Sequence, residues 1–361
     1  MRGEVDPQAH LFAYFSPDAR VPPDHPLRSI KAYAEAALSR IDAELEALYG
    51  ATGRPSIPPE RLLKGQLLIA LYSIRSDRAF CEQLDYNLLF RWFLDMSLDE
   101  RGLDQSNFSR LRERLVDTDV ARRFFDEVVR LAKSQQLLSA EHFTVDSTLI
   151  ESWAGLKSLR KKGGGPPKSG GDGTGMVDFR GERRTNDTHE SSTDPEAKLM
   201  RRGNGQPAKL CFGGHALMEN RSGLCVDLAL TDARLTEPVA AIRLLKRQAR
   251  KRVRPRTLGA DKGYHTKAFV QALRERDIRP HIARIEGRTT PGLDGRTTRH
   301  LSYRASQRTR KRIEEIFGWL KTVGGLRKSR FVGLKRTGLY AYLAASAYNL
   351  LRIAKLAPVT S

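Results

Sequence analysis

The sequence predicts a mixed α/β protein whose first third is all-helical, and three observations carry that prediction. Apolar residues recur at intervals of three and four through roughly the first 135 positions, which is helical spacing. Beyond residue 141 short β-branched runs replace them, and two of these end on an aspartate, Val145-Asp146 and Ala260-Asp261. Between them lies a Lys/Gly/Pro tract at 157–175 that cannot build a core. At 361 residues two lobes are the natural expectation. The expected division is an N-terminal helical domain at 1–137 and an α/β domain at 138–361, with a mobile or β insertion at about 157–208.

Charge separates the same two parts. Residues 1–140 hold 19 Lys/Arg against 21 Asp/Glu, leaving 44 against 21 for residues 141–361. The net charge of +21 therefore belongs to the second part, at +23, and points to a phosphate-bearing polymer as partner. Cys81, Cys211 and Cys225 show no C-x-x-C spacing, which disfavours a disulfide scaffold and a thiolate zinc site. Arg2, Glu4 and Asp6 interrupt the start where a signal peptide would be apolar. The late apolar stretch 339–357 carries Asn349, Arg352 and Lys355 and is too polar for a bilayer. A cytoplasmic protein without membrane contact is expected.

In chain order, 1–26 reads as an aromatic, proline-rich arm, and 27–49 as one helix through Ile30, Tyr33, Ala37, Ile41 and Leu45. Pro58-Pro59-Glu60 opens a buried helix to about residue 74, and Asp77 caps another reaching Phe93. Asp104 precedes a helix whose Arg110, Arg112 and Arg114 form a basic outer face, followed by a helix over 120–135. This pair could set a helix into a DNA groove, or the basic face could simply be solvated. Arg91-Trp92 and Trp319 read as core anchors. Two β-like runs at 209–219 and 223–231 flank the turn Asn220-Arg221-Ser222-Gly223, and a helix spans 238–250. Arg250, Lys251, Arg252, Arg254 and Arg256 then supply five positive charges, either a solvated face or a phosphate contact. A helix at 266–274, a strand at 278–285, a polar loop at 286–304 and a helix at 308–322 complete the α/β part.

An ionised carboxylate closing an apolar run is costly to bury alone, so Asp146 either caps the next segment or faces a partner. The order strand, hairpin, helix, strand-aspartate, helix, strand, helix-glutamate matches an RNase H-like fold. In that topology Asp146 and Asp261 lie side by side at strand ends, where such sheets place ligands. Glu314, on the last helix, comes across to meet them. Three converging carboxylates repel unless a cation joins them, and oxygen donors select Mg²⁺ or Mn²⁺ over zinc.

These residues give the chain a family resemblance. Gly53-Arg54-Pro55, Val145-Asp146-Ser147-Thr148, residues 188–197, Ala260-Asp261-Lys262-Gly263-Tyr264 and the 310–321 helix resemble bacterial insertion-sequence transposases of the IS5 family, DDE class, over nearly the full length. The family's Y-(2)-R-(3)-E-(6)-K signature falls on Arg310, Glu314 and Lys321; its tyrosine position is Gln307 here. That spacing selects Glu314 over Glu315. The resemblance implies Asp146, Asp261 and Glu314 as catalytic ligands of two Mg²⁺ or Mn²⁺ ions, with Arg310 and Lys321 on the scissile phosphate. It also implies terminal inverted repeats as the specific DNA, a homodimer holding two ends, and a cytoplasmic, nucleoid-associated protein. Arg110, Arg112, Arg250, Lys251 and Arg252 are the further candidate DNA contacts. A stand-alone metal-dependent nuclease and a silent DNA-binding regulator are the rival readings; the intact carboxylate set disfavours the second.

Overall fold

A computed structural model describes residues 16–50, 56–163, 184–201, 203 and 205–359. Most of the aromatic arm, Gly53-Arg54-Pro55 and positions 164–175 of the Lys/Gly/Pro tract lie outside the described residues.

The N-terminal part is helical: α1 (Pro17–Arg20), α2 (Pro26–Leu38), α3 (Asp42–Glu46), α4 (Pro59–Leu71), α5 (Asp77–Tyr86), α6 (Leu88–Phe93), α7 (Gln105–Val116) and α8 (Val120–Ser134). Two expected helices are each broken in two. The 27–49 helix ends at Leu38, where the Ser39 hydroxyl donates to the Ala36 carbonyl and a tight turn at Ser39–Ile41 intervenes. The helix expected to run from Asp77 to Phe93 stops at Asn87, whose side-chain oxygen caps α6 by accepting from Phe90 N at 3.2 Å. Asp77 does not cap α5 either; Ser76 does, accepting from Ala79 N. Asp104 caps α7, accepting from Asn107 N at 2.8 Å.

Among the described residues eight strands follow these helices: β1 (His142–Glu151), β2 (Leu159–Lys161), β3 (His189–Ser191), β4 (Lys198–Met200), β5 (Lys209–Glu219), β6 (Cys225–Asp232), β7 (Thr257–Ala260) and β8 (Arg279–Ile282). The main sheet runs β6-β5-β1-β7-β8 with β4 also paired to β5, and β2 with β3 forms a separate hairpin. Residues 157–163 of the expected mobile tract are therefore ordered, since Lys161 pairs with His189. The β5–β6 turn is held by Glu219, which accepts from the backbone and hydroxyl of Ser222, and by Gly223 at φ +72°.

Helices cover both faces of the sheet. Phe143 and Val145 of β1 pack with α9 (Glu237–Arg250) and α10 (Lys267–Arg274) through Ala241, Leu244 and Phe269. The alternate side chains of β1 therefore face the other way, toward α13 (Ile313–Thr322); α12 (Leu301–Thr309) packs on β7 and β8, α14 (Leu334–Leu356) on β6, and α11 (Gly295–Thr298) lies by β8, where Thr297 accepts from Arg274 of α10. The polar loop expected at 286–304 thus contains α11 and the start of α12, which His300 caps through Ser302 N. A tight turn at Arg310–Arg312 separates α12 from α13.

The last helix joins the two parts. α14 is apolar nearly all round, the pattern of a helix enclosed by protein, and shares one core with α2, α4 and α8 through Leu343, Ala344, Leu350, Leu68 and Phe124. Its Asn349 donates to Cys225 O and accepts from Cys225 N, pairing with β6 as a strand would. The expected boundary at 137/138 falls between elements but not between cores.

Candidate active site

β1 and β7 run parallel and in register at Thr144 and Gly259, so two residues on Asp146 and Asp261 stand level; Asp261 lies just past the end of β7, whereas Asp146, expected to close its strand, sits in the middle of β1, which stays paired with β5 as far as Glu151. Gly259 eases the approach of α12 to β7: a Cβ there would lie 3.0 Å from Ser306 Oγ and 3.1 Å from Thr144 Oγ1, so either hydroxyl would have to give way by a few tenths of an ångström. Asp261 accepts from Gly263 N at 2.8 Å. The Ser147 backbone N–H donates to Asp146 Oδ1 at 2.8 Å. Glu314 rides on the exposed first turn of α13, over the same face of β1 as Asp146.

Burial pushes the Asp146 carboxyl up to about 6; the charges of Asp261 and Glu314 push the same way, against the Ser147 N–H and Arg310. Glu315 instead faces Arg312 and Arg352, each at 3.9 Å. Glu237, a carboxylate absent from the sequence-based set, belongs to the same neighbourhood. Burial first, then Asp261 and Asp146, push it up to about 7. Its Oε2 lies 3.1 Å from where a Cβ of Gly263 would be. In the sequence Glu237 reads only as an acid in a helix's first turn, an ordinary preference that hides it.

Basic side chains border the carboxylates. Lys321 donates to Thr148 Oγ1, two residues beyond Asp146 on the same face of β1. Arg310 donates to Gln307 Oε1 at 3.0 Å, and Gln307 in turn donates to the His281 carbonyl of β8. Gln307 thus orients Arg310. A cleft of about 540 Å³ opens beside the carboxylates, lined by Ser147, His215, Arg201, Arg234, Glu237 and Gly263.

The remaining candidates lie elsewhere. Arg112 is not on an outer face: it is buried, ion-paired with Asp77 and stacked 4.8 Å from the Phe331 ring, leaving Arg110 and Arg114 exposed. Arg250, Lys251 and Arg252 are exposed at the far end of α9, about 20 Å of helix from Glu237 at 1.5 Å per residue, and Lys251 pairs with Asp126 at 2.5 Å. Asp194 and Glu196 accept from Gly333 N and Leu334 N, so the 188–197 segment holds the start of α14. Arg91 is buried, donating to the Leu84 carbonyl. All three cysteines are buried and none is in a disulfide.

Among the described residues no three His, Cys, Asp or Glu side chains stand close enough to share an ion. The donor chemistry nonetheless suits a hard divalent cation: Asp146, Asp261, Glu314 and Glu237 offer only carboxylate oxygen, and their mutual repulsion is what raises Asp146 and Glu237 beyond the effect of burial. No helix among the described residues is long and apolar enough to cross a membrane.

An α/β sheet bearing level aspartates beside a glutamate-bearing helix, in a strongly basic chain, has the chemistry to handle phosphate. Comparison with known families is more specific. Residues 183–350 match the family model described as the transposase DDE domain, and residues 15–114 that of a transposase domain, DUF772. Asp261 and Glu314 fall inside the DDE match and Asp146 lies between the two. Among solved structures the chain is similar to piggyBac transposase in its synaptic complex with hairpin DNA, at 12% identity, 93% of this chain, 77% of that one and TM-score 0.41. It is also similar to Mos1 transposase in a paired-end complex with the left transposon end, at 11% identity, 84% and 98% coverage and TM-score 0.20. A pre-cleavage Mos1 transpososome gives 12%, 93%, 97% and 0.19. No curated protein matches the chain in sequence.

Proposed function

We propose that this protein is a bacterial DDE transposase of the IS5 type with an RNase H-like catalytic fold. It cuts the inverted-repeat ends of its own element and joins them to target DNA. The observation that carries the reading is the pairing of β1 with β7 that sets Asp146 level with Asp261, inside a chain bearing a DDE transposase domain.

Asp146, Asp261 and Glu314 would hold two Mg²⁺ or Mn²⁺ ions, with Glu237 beside them. When bound, the ions supply activation of the attacking hydroxyl and neutralisation of charge on the leaving 3′-oxygen. In the first step water attacks phosphorus, the bond to the 3′-oxygen breaks, and a 3′-hydroxyl and a 5′-phosphate result. In the second that 3′-hydroxyl attacks a target phosphodiester and displaces the target's 3′-oxygen. Arg310, oriented by Gln307, and Lys321 hold the phosphate by charge-assisted hydrogen bonds. The exposed Arg110 and the 250–252 cluster bind flanking DNA, and a homodimer holds two ends together.

The test is a labelled DNA fragment carrying the element's own flanks, incubated with the protein and Mg²⁺. Asp146→Asn, Asp261→Asn and Glu314→Gln each abolish cleavage while end binding persists, and Glu315→Gln still cuts. Near-normal cutting by any of the first three would falsify the ligand assignment. Cutting without any joined product would make the protein a nuclease instead.

A further inference from the structure

On the face of the sheet opposite Asp146, four side chains form one hydrogen-bonded line. Tyr264 Oη lies 2.9 Å from Ser147 Oγ, and Ser147 Oγ lies 2.6 Å from His215 Nδ1. His215 Nε2 then lies 2.9 Å from Thr231 Oγ1, which donates to the Asp232 carbonyl at 3.0 Å.

The far end fixes the direction of every bond. Thr231 spends its one hydroxyl proton on the Asp232 carbonyl, so it accepts from His215, whose proton sits on Nε2. Nδ1 is then bare and accepts from Ser147, and Ser147, its proton spent, accepts from Tyr264. His215 and Tyr264 are 2% and 0% exposed, so water reaches the line only at the half-buried Ser147 and Thr231, beside the cleft. Burial also holds His215 near 4, which keeps it neutral as the line requires. The line is built tightly: a Cβ on Gly213 would sit 3.0 Å from Thr231 Oγ1 and 3.1 Å from His215 Nε2.

What the line connects gives it a role. Ser147 follows Asp146 and its backbone N–H binds the Asp146 carboxylate, so displacing Ser147 displaces that carboxylate. Tyr264 closes the turn that begins at Asp261. We propose that Tyr264, Ser147 and His215 are positioning residues. Through them the peptide carrying Asp146 is locked to the turn carrying Asp261, which sets the spacing of the two carboxylates and hence their affinity for a divalent cation. This rests on the reading that those carboxylates hold the ion.

The experiment is a titration of full-length protein with Mn²⁺, followed by the electron paramagnetic resonance of free Mn²⁺, alongside thermal unfolding in chelator. Tyr264→Phe removes one oxygen and keeps the ring against Phe269. It should weaken Mn²⁺ binding about 10-fold, the usual size for a group that orients a ligand, with melting close to wild type. Ser147→Ala should lose a similar factor, Ser147→Thr should restore it, and the Tyr264→Phe/Ser147→Ala double variant should be no worse than Ser147→Ala. Wild-type Mn²⁺ affinity in both Tyr264→Phe and Ser147→Ala overturns the proposal, whether or not melting falls. The underlying ligand reading fails separately, if wild type binds no Mn²⁺ or Asp146→Asn binds it as wild type does.

Discussion

Replacing Asp146 with asparagine should stabilise the metal-free protein. The carboxyl is raised from its ordinary 3.8 to about 6, a difference of roughly two units, which at about 1.36 kcal/mol per unit corresponds to about 3 kcal/mol of strain in the ionised form. The group keeps partial contact with water, so about 2 kcal/mol is the working figure. The sign follows from linkage. A carboxyl whose pKa is higher folded than unfolded favours the folded state at low pH, and this is lost as pH rises from about 4 through about 6. Asparagine keeps an oxygen able to accept from the Ser147 N–H and carries no charge to repel Asp261 and Glu314. Thermal unfolding in chelator at pH about 7.5 should therefore show Asp146→Asn melting about 3 °C above wild type, for a chain of this size. The gain should vanish near pH 4, where the wild-type carboxyl is protonated. Millimolar Mg²⁺ should raise wild type and leave the variant behind, because binding to the folded state alone stabilises it. No gain at pH about 7.5, or an equal gain at pH about 4, would refute the electrostatic argument.

Two further outcomes are expected. DNA binding by the full-length protein should fall steeply with salt, because residues 141–361 carry net +23; neutralising about six to ten phosphates costs roughly 10³ to 10⁵ in affinity between about 50 and 200 mM salt. A flat titration would contradict a phosphate-led interface. Arg112→Ala should cost about 3 kcal/mol in denaturant unfolding, since it removes the cation from the largely enclosed Asp77 carboxylate and leaves it the Ser109 hydroxyl. Unchanged stability with weakened DNA binding would instead return Arg112 to the DNA-contacting set.

Local chemistry made much of the molecule legible. Asp146 and Asp261 are visible because each follows an apolar, strand-like run with a residue that does not belong in a core, although β1 continues past Asp146 to Glu151, and the Asn220–Gly223 turn is visible because only glycine sits easily at φ +72°. Asp104 could be read as a cap for a similar reason: its partner is three residues away. The caps misassigned at Asp77 and the overlong helix at 27–49 show the limit of the same logic. Periodicity states which face is apolar but not where a serine or asparagine side chain competes for the backbone.

The order of the two aspartate-bearing strands and the basic second part are thus legible from local residues alone, while Glu314 is a candidate singled out by the spacing of the family signature it resembles. Which charges meet is a matter of the packed fold. It turned Arg112 inward to Asp77, carried the 250–252 cluster to the far end of α9, brought Glu237 to the aspartates, and gave Gln307 the task of holding Arg310. It also placed α14 in the core of helices more than 200 residues earlier in the chain. The physical reason is common to all of these. A charged or amphipathic residue is compatible with either water or a buried partner, and the choice depends on a group distant in sequence, whose approach is set by packing the whole sheet between its helices.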